Sequence, residues 1–199
     1  MGGIVAKPTK ANLVAVCMMV IDAIHRGLKS ITINGVTIGD FKSVNWCARN
    51  VRLALGATKY GDPWGWPYAA CCATSMAKKL RAAGLAVPRK QAQPGDVIAF
   101  ASSAKGAKCS QCGSPVGHVG IYMGDNKLYQ NTSYGRRGTC IIPIRSEQWD
   151  ALLGVFEVLP DAAERPILVV DHGTGEVLGY VVDGGLHVDD QRKVYVELT

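Results

Sequence analysis

The sequence predicts an α+β fold, in which N-terminal helices pack on an antiparallel sheet, followed by a small β-rich appendage. Early segments place apolar residues at helical spacing, whereas later segments are short and joined by tight turns such as Gly124-Asp125-Asn126. The two kinds of segment do not alternate along the chain, as they would in a parallel sheet. Helices first and hairpin-linked strands afterwards are typical of the α+β class.

Helices dominate the predicted elements of the first half. Asn34-Gly35 interrupts a run of β-branched residues and is a strong signal for a hairpin. Asn45 has the position of a helix N-cap, and Gly56 would end that helix. Pro67 is suited to the first turn of a further helix. The predicted elements are helices over 11–28, 46–55 and 68–83 and a hairpin over 30–39.

The second half reads as strands joined by turns. Pro94-Gly95-Asp96 is a turn that leads into an apolar run, and a second turn separates two strands near residue 125. Strands are predicted over 97–100, 118–123, 127–131, 139–144 and 153–159.

A change of composition near Pro160 divides the chain into two predicted domains. Residues 1–160 form the larger one, and residues 161–199 offer three short strands between Gly-rich turns. A segment of about forty residues buries little apolar surface by itself. We therefore expect the second domain to be an appendage that packs on a neighbour or a partner.

Composition and charge exclude several classes of protein. Of the 199 residues 48% are hydrophobic and 19% are charged, which argues against disorder. The net charge of +6 comes from scattered side chains, so no nucleic-acid footprint is predicted. A basic surface would favour a polyanionic bacterial wall, although simple solubility explains it equally well.

The N-terminal apolar stretch, residues 13–24, does not predict a leader or a membrane anchor. It contains Asp22, lacks a small-residue cleavage site and is too short to span a bilayer. We expect a protein made in the cytoplasm, without a signal peptide and without a membrane partner. Most of its seven cysteines should then be reduced, and their odd number leaves room for a catalytic thiol.

Cys47 is the predicted nucleophile. It lies two residues after the proposed Asn45 cap, where helix N–H groups and the helix dipole lower a thiol pKa from about 8.5 toward neutrality. Val51, Ala54 and Leu55 place the sulfur on the buried side of the helix. A small core cysteine would show the same pattern.

His118 is the predicted general base. It begins a strand between Gly117 and Gly120, which would allow close approach of another chain or a substrate. The other histidines lie in a basic helix end (His25) or in the appendage. A neutral imidazole at this position could accept the thiol proton.

Four segments in this order resemble the NlpC/P60–CHAP superfamily of cell-wall hydrolases, especially phage-associated and endolysin-like members. They are NWCARNVRLAL, QPGDVIAF, GHVGIYMGDNKLYQNTS and RRGTCIIPI, and the resemblance covers residues 40–160. It implies a papain-like fold, a nucleophilic cysteine at a helix start and a histidine in the G-H-V-G strand. Cys47 and His118 match those two positions.

The resemblance leaves two candidates for the residue that orients His118. In NlpC/P60 proteins this residue lies near the end of the following strand, which corresponds to Gln130. An asparagine serves in CHAP-type members, and Asn131 is the adjacent match. Neighbouring strand residues face opposite sides, so only one of the two should reach the imidazole. Gln130, on the face of Leu128, is preferred.

The remaining cysteines and tryptophans have open roles. Cys71 and Cys72 read as packing residues inside a helix, with Cys72 a weak rival nucleophile. Cys109-x-x-Cys112 is half a zinc site, to which Cys140 would add a third ligand; a local disulfide or a plain surface loop are the alternatives. The sequence therefore predicts no metal and no cofactor. The tryptophans of GDPWGWPY line a substrate groove or anchor a loop.

The resemblance implies a peptidoglycan hydrolase, either an endopeptidase or an N-acetylmuramoyl-L-alanine amidase. Its partner would be peptidoglycan, and its setting would be phage lysis or a prophage, with action on the wall. Three alternatives remain: a zinc-stapled binding module, an inactive wall-binding protein and a lipid acyltransferase. The order of Cys before His argues against the acyltransferase.

Overall fold

A computed structural model describes residues 8–58, 66–102, 106–161, 167–170, 177–182 and 185–188. The chain divides into two compact units, residues 1–160 and residues 161–199. In the first unit the described residues form helices and an antiparallel sheet. The predicted α+β class is confirmed, while the functions given to the two units stay predictions.

The helices of the first unit begin at residues with clear local causes. The side chain of Thr9 caps the first helix by accepting the N–H of Asn12, whose own side chain accepts the N–H of Thr9. No helix among the described residues combines the length and apolar character needed to cross a bilayer. The helices are α1 (Lys10–His25), α2 (Cys47–Thr58), α3 (Ala73–Ala82) and α4 (Ser146–Asp150).

The predicted end of α2 and the predicted start of α3 are wrong. Helix α2 continues through the buried Gly56, because packing outweighs the stop signal of a single glycine. Helix α3 begins at Ala73 instead of near Tyr68, because Cys72 has an extended backbone. The sulfur of Cys72 accepts the N–H of Ser75 at 3.5 Å and so caps α3.

The strands largely follow the predicted segments. The Asn34-Gly35 turn has positive φ at both residues, 50° and 77°, as a two-residue hairpin turn requires. The hairpin strands are β1 (Ser30–Ile33) and β2 (Val36–Gly39); the others in this unit are β3 (Ala86–Val87), β4 (Val97–Ala101), β5 (Gly117–Gly124), β6 (Lys127–Thr132), β7 (Gly138–Pro143) and β8 (Leu152–Phe156). Strands β3 to β8 form one sheet in the order β3-β8-β4-β5-β6-β7.

Alternation along the central strands gives the sheet two different apolar faces. In β4, Val97 and Ala99 belong to the main core, which also holds α1, α2 and α3. Ile98 and Phe100 belong to a second cluster on the opposite face. His118 lies opposite Phe100 in the β4–β5 register, so it shares the face of this second cluster.

The described residues of the second unit form the three short strands that its sequence predicts. They are β9 (Ile167–Val170), β10 (Val177–Val182) and β11 (Gly185–Val188), paired antiparallel in the order β11-β10-β9. A register shift interrupts the β9–β10 pairing between Val177 and Gly179. The described strands agree with the predicted β-rich character of this segment.

Candidate active site

Cys47 is the first residue of α2 and is half-buried. The carbonyl of Trp46 accepts the N–H of Asn50 at 2.8 Å, so Trp46 is the residue that precedes the helix. Asn45, the predicted cap, has φ of 67° and does not cap α2. The helix therefore starts one residue later, and Cys47 occupies its first position.

The sulfur of Cys47 lies against the beginning of β5. Its Sγ donates to the carbonyl of Gly117 at 3.9 Å. Among the described residues the β5–β6 register begins at Gly120, opposite Gln130. The backbone of Gly117 and Val119 is consequently free of β6 on this side, and the Cys47 sulfur lies at the Gly117 carbonyl, one residue before His118 in the chain.

Gln130 is the residue that contacts His118. The two side chains hydrogen-bond between Nε2 of His118 and Oε1 of Gln130. With the amide oxygen toward the ring, Nε2 carries the proton and Nδ1 remains as an acceptor. Phe100 stacks on the imidazole with 6.3 Å between ring centroids and 20° between planes. These two contacts hold the ring plane, and the bond to Oε1 favours the tautomer with the proton on Nε2.

Asn131 does not contact His118 but positions the residues before Cys47. Its Oδ1 accepts the backbone N–H of Trp46 at 2.8 Å, and its Nδ2 donates to the carbonyl of Ser43 at 2.7 Å. The same Nδ2 lies 3.2 Å from Oγ1 of Thr139. The buried side chain of Asn131 thus holds residues 43–46 in place by hydrogen bonds.

A second buried polar link joins α2 to the sheet. Tyr129 donates its hydroxyl proton to Oδ1 of Asn50 at 3.1 Å, and Thr139 reaches the same oxygen at 3.5 Å. Asn50 and Tyr129 were not predicted as functional residues. The sequence signal for Asn50 is a polar residue on the apolar side of α2, three positions after Cys47.

Burial controls the protonation of both candidate catalytic groups. It raises the pKa of Cys47, against backbone N–H groups of Val119, Ala48 and Cys47 that lower it. It lowers the pKa of His118, against the bond to Gln130, and the positive charge of Arg145 lowers it further. The predicted depression of the Cys47 pKa is wrong, because desolvation outweighs the helix terminus. Both directions favour a neutral thiol and a neutral imidazole.

The space beside the glycines that flank His118 is occupied by other residues of the protein. A Cβ at Gly117 would come within 2.7 Å of the Phe100 carbonyl and 2.8 Å of the Thr74 hydroxyl oxygen. A Cβ at Gly120 would come within 2.6 Å of both Leu128 and the Tyr129 carbonyl. The close approach that these glycines permit is therefore made by α3, β4 and β6.

The other candidate residues have different surroundings from those predicted. Cys71 and Cys72 lie before α3, and not inside it, with their sulfurs near those of Cys109 and Cys112. Cys140 is on β7 opposite Gln130 and is outside that group, so the alternative in which it supplies a third ligand is wrong. Trp66 is 2% exposed and anchors its loop; Trp64 lies outside the described residues.

Comparisons with known proteins found similar solved structures. No protein-family profile matches the chain, and no curated protein matches it. A crystal structure of an NlpC/P60 family protein from Bacillus cereus is similar with a TM-score of 0.48 and 19% identity. The match covers 78% of this chain and 42% of that one, so the chain spans less than half of the neighbour's length. The case for a function rests on the site itself.

Proposed function

We propose that this protein is a thiol hydrolase that cleaves an amide bond in the peptide part of peptidoglycan, with a papain-like arrangement of its site. One observation carries the proposal: the Cys47 sulfur, at the first position of α2, contacts the carbonyl of Gly117, the residue that precedes a histidine held by Gln130. Nucleophile, base and orienting group are the three components that such a reaction needs.

The first half of the reaction is acyl transfer to sulfur. Nδ1 of His118 accepts the proton of Cys47 as the sulfur attacks the substrate carbonyl carbon. The proton moves during attack, because burial opposes a resting thiolate–imidazolium pair. The C–N bond then breaks, His118 returns the proton to the leaving amine, and an S-acyl enzyme remains.

The second half releases the acyl group to water. His118 removes a proton from water, whose oxygen attacks the thioester carbon, and the proton is returned to the Cys47 sulfur as the C–S bond breaks. Backbone N–H groups at the start of α2 are suited to stabilise the oxyanion in both halves, since the first N–H groups of a helix have no intrahelical partner. Asn131 supports this geometry through Trp46.

The choice of peptidoglycan follows from the four segments that resemble cell-wall hydrolases and from a net charge of +6, which suits a polyanionic wall. The same resemblance is our reason for proposing a role in phage lysis or in a prophage. Trp46, 40% exposed and stacked with Arg49 at 4.2 Å, adjoins the nucleophile and is suited to contact substrate. Residues 161–199 would hold the enzyme near the wall.

Digestion of purified sacculi tests the proposal. The wild-type protein should release soluble fragments, whose masses identify the bond cleaved, and Cys47→Ser should release none. Cys140→Ser is the matched control, since Cys140 is also a partly buried thiol but lies on β7. A folded protein that sediments with sacculi but leaves them intact would instead be an inactive wall-binding module.

A further inference from the structure

Four cysteines from distant parts of the sequence bring their sulfurs together outside the candidate active site. The Sγ atoms of Cys71, Cys72, Cys109 and Cys112 all lie within 4.8 Å of one another. Cys72 and Cys112 are 3.6 Å apart between sulfurs, and Cys71 and Cys109 are 3.7 Å apart. All four are free thiols.

Two local structures create this cluster. Cys71 and Cys72 end the segment before α3, and the extended backbone of Cys72 turns its sulfur toward the helix start. Cys109 and Cys112 lie in a tight turn closed by the Gly113 N–H on the Cys109 carbonyl at 2.9 Å. Gly113 has φ of 65°, which favours glycine at that position. The turn presents both of its sulfurs to the Cys71–Cys72 pair.

We propose that Cys71, Cys72, Cys109 and Cys112 bind one Zn²⁺ ion. Four thiolates at Zn–S distances of about 2.3 Å on a tetrahedron place neighbouring sulfurs roughly 3.8 Å apart. The two shortest separations here, 3.6 and 3.7 Å, fit that arrangement. A disulfide would require a separation of about 2.05 Å. No metal is predicted from the sequence, since the turn cysteines supply only half of the ligands.

The surroundings stabilise the charge of such a site. A zinc ion with four thiolates carries two net negative charges, which need nearby donors or cations. The Ser75 N–H already points at the Cys72 sulfur at 3.5 Å. This donor favours a thiolate over a neutral thiol at Cys72.

Zinc at this position would join the chain entering β5 to the start of α3. The turn of Cys109–Cys112 leads through Val116, whose N–H bonds to the Ala107 carbonyl at 3.0 Å, directly to Gly117 and His118. The first turn of α3 packs on Gly117, as the close Thr74 hydroxyl shows. The metal would therefore have a structural role near His118 and would take no part in bond cleavage.

Metal analysis of the purified full-length protein tests the site without any assay of hydrolysis. We expect about one zinc ion per chain, lost in Cys72→Ser and in Cys109→Ser. Cys140→Ser and Cys47→Ser are the matched controls and should retain it. Wild-type protein stripped by a chelator and loaded with Co²⁺ should show the intense visible bands of tetrahedral thiolate cobalt, which keeps the test valid if a cysteine variant fails to fold.

Thiol titration in denaturant with chelator separates the alternatives. The zinc site predicts that all seven cysteines react. Three reactive thiols, the seven less four, would indicate two disulfides and overturn the proposal. Zinc-free wild-type protein with seven thiols and no cobalt bands would overturn it too, and a bound iron would overturn the choice of zinc. None of these outcomes depends on whether Cys47 is a nucleophile.

Discussion

Asn131 Oδ1 accepts the backbone N–H of Trp46 at 2.8 Å, one residue before Cys47. Gln130, its neighbour on β6, contacts His118 on the other face of the strand. Two consecutive side chains of β6 thus serve both members of the proposed catalytic pair. Gln130 orients the base, and Asn131 places the start of the helix that carries the nucleophile.

Replacing Asn131 by Ala should move the nucleophile without touching the base. The N–H of Trp46 and the carbonyl of Ser43 would lose their hydrogen bonds to Asn131, and each bond contributes about 0.5–1.5 kcal/mol to the free energy of unfolding. We expect kcat to fall on the order of 100-fold, because misplacement by about 1 Å has that effect, with little change in KM. Steady-state kinetics on a stem peptide and urea unfolding measure the two effects.

Thr139→Val is the matched control for Asn131. It removes the hydroxyl 3.2 Å from Asn131 Nδ2 but leaves the bond to Trp46. The variant should keep most of its kcat. An equal loss of kcat in both variants at equal stability would show that Asn131 acts through the strand and not through Trp46.

Gln130→Glu should shift the pH dependence of activity. The pKa of His118 is lowered by burial, so the acid limb of kcat/KM should lie below the ordinary histidine value of about 6.5. A carboxylate next to Nε2–H stabilises the imidazolium and should move that limb upward by about one unit or more. Gln130→Met, without an acceptor, should lower kcat and move the limb further downward, because the bond to Gln130 raises the pKa of His118. Identical profiles for the two variants would remove Gln130 from the site.

The alkylation rate of Cys47 reports the resting state of the pair. Because burial raises the pKa of this thiol, reaction with iodoacetamide should reach half its maximal rate above the ordinary thiol value of about 8.5. Peptide-resolved mass spectrometry compares the folded protein with the protein in denaturant. A midpoint near pH 7 would mean that a thiolate–imidazolium pair exists before substrate binds.

Strand positions could be predicted from the sequence because their signals are local. The alternation of β5 and β6 and the turn between them place Gln130 and Asn131 on opposite faces. The hydrogen-bond partners of the Gln130 and Asn131 side chains could not be predicted. Asn131 bonds to Trp46, which is 85 residues away in the sequence, so this contact depends on how the chain packs. From the sequence, Gln130 and Asn131 are therefore two candidates for orienting His118, while in the structure each makes its own separate contacts.

The cysteine cluster was missed for a related reason. Alanines around Cys71 and Cys72 have high helix propensity, so this segment reads as helix interior. The Cys72 sulfur instead caps α3 and meets a turn about forty residues later in the chain. Propensity describes a residue's neighbours in sequence, and a ligand set drawn from two segments is visible only after the chain has folded.

A buried ion pair at the start of α1 should contribute strongly to stability. Lys10 Nζ lies 3.3 Å from Oδ1 of Asp96 and 3.1 Å from Oε1 of Gln93. The side chains of Lys10 and Asp96 are 5% and 1% exposed. Lys10→Met would leave a buried carboxylate without its cation, and we expect a loss of about 3–5 kcal/mol in the free energy of unfolding.

The matched control for Lys10 is Arg26→Met, which removes the exposed pair of Arg26 and Asp22 at 3.5 Å. Both of those side chains are more than half exposed, so the change should stay within about 0.5 kcal/mol.

Burial already raises the pKa of Asp96, and Lys10 opposes this; without Lys10 the folded pKa of Asp96 rises further. A folded pKa above the unfolded one means that stability is present at low pH and lost as pH rises. The deficit of Lys10→Met in urea unfolding should therefore shrink as pH falls toward 4, and Asp96→Asn in the same chain should restore part of it at pH 7. A deficit independent of pH would show that Lys10 acts through packing of its stem and not through charge.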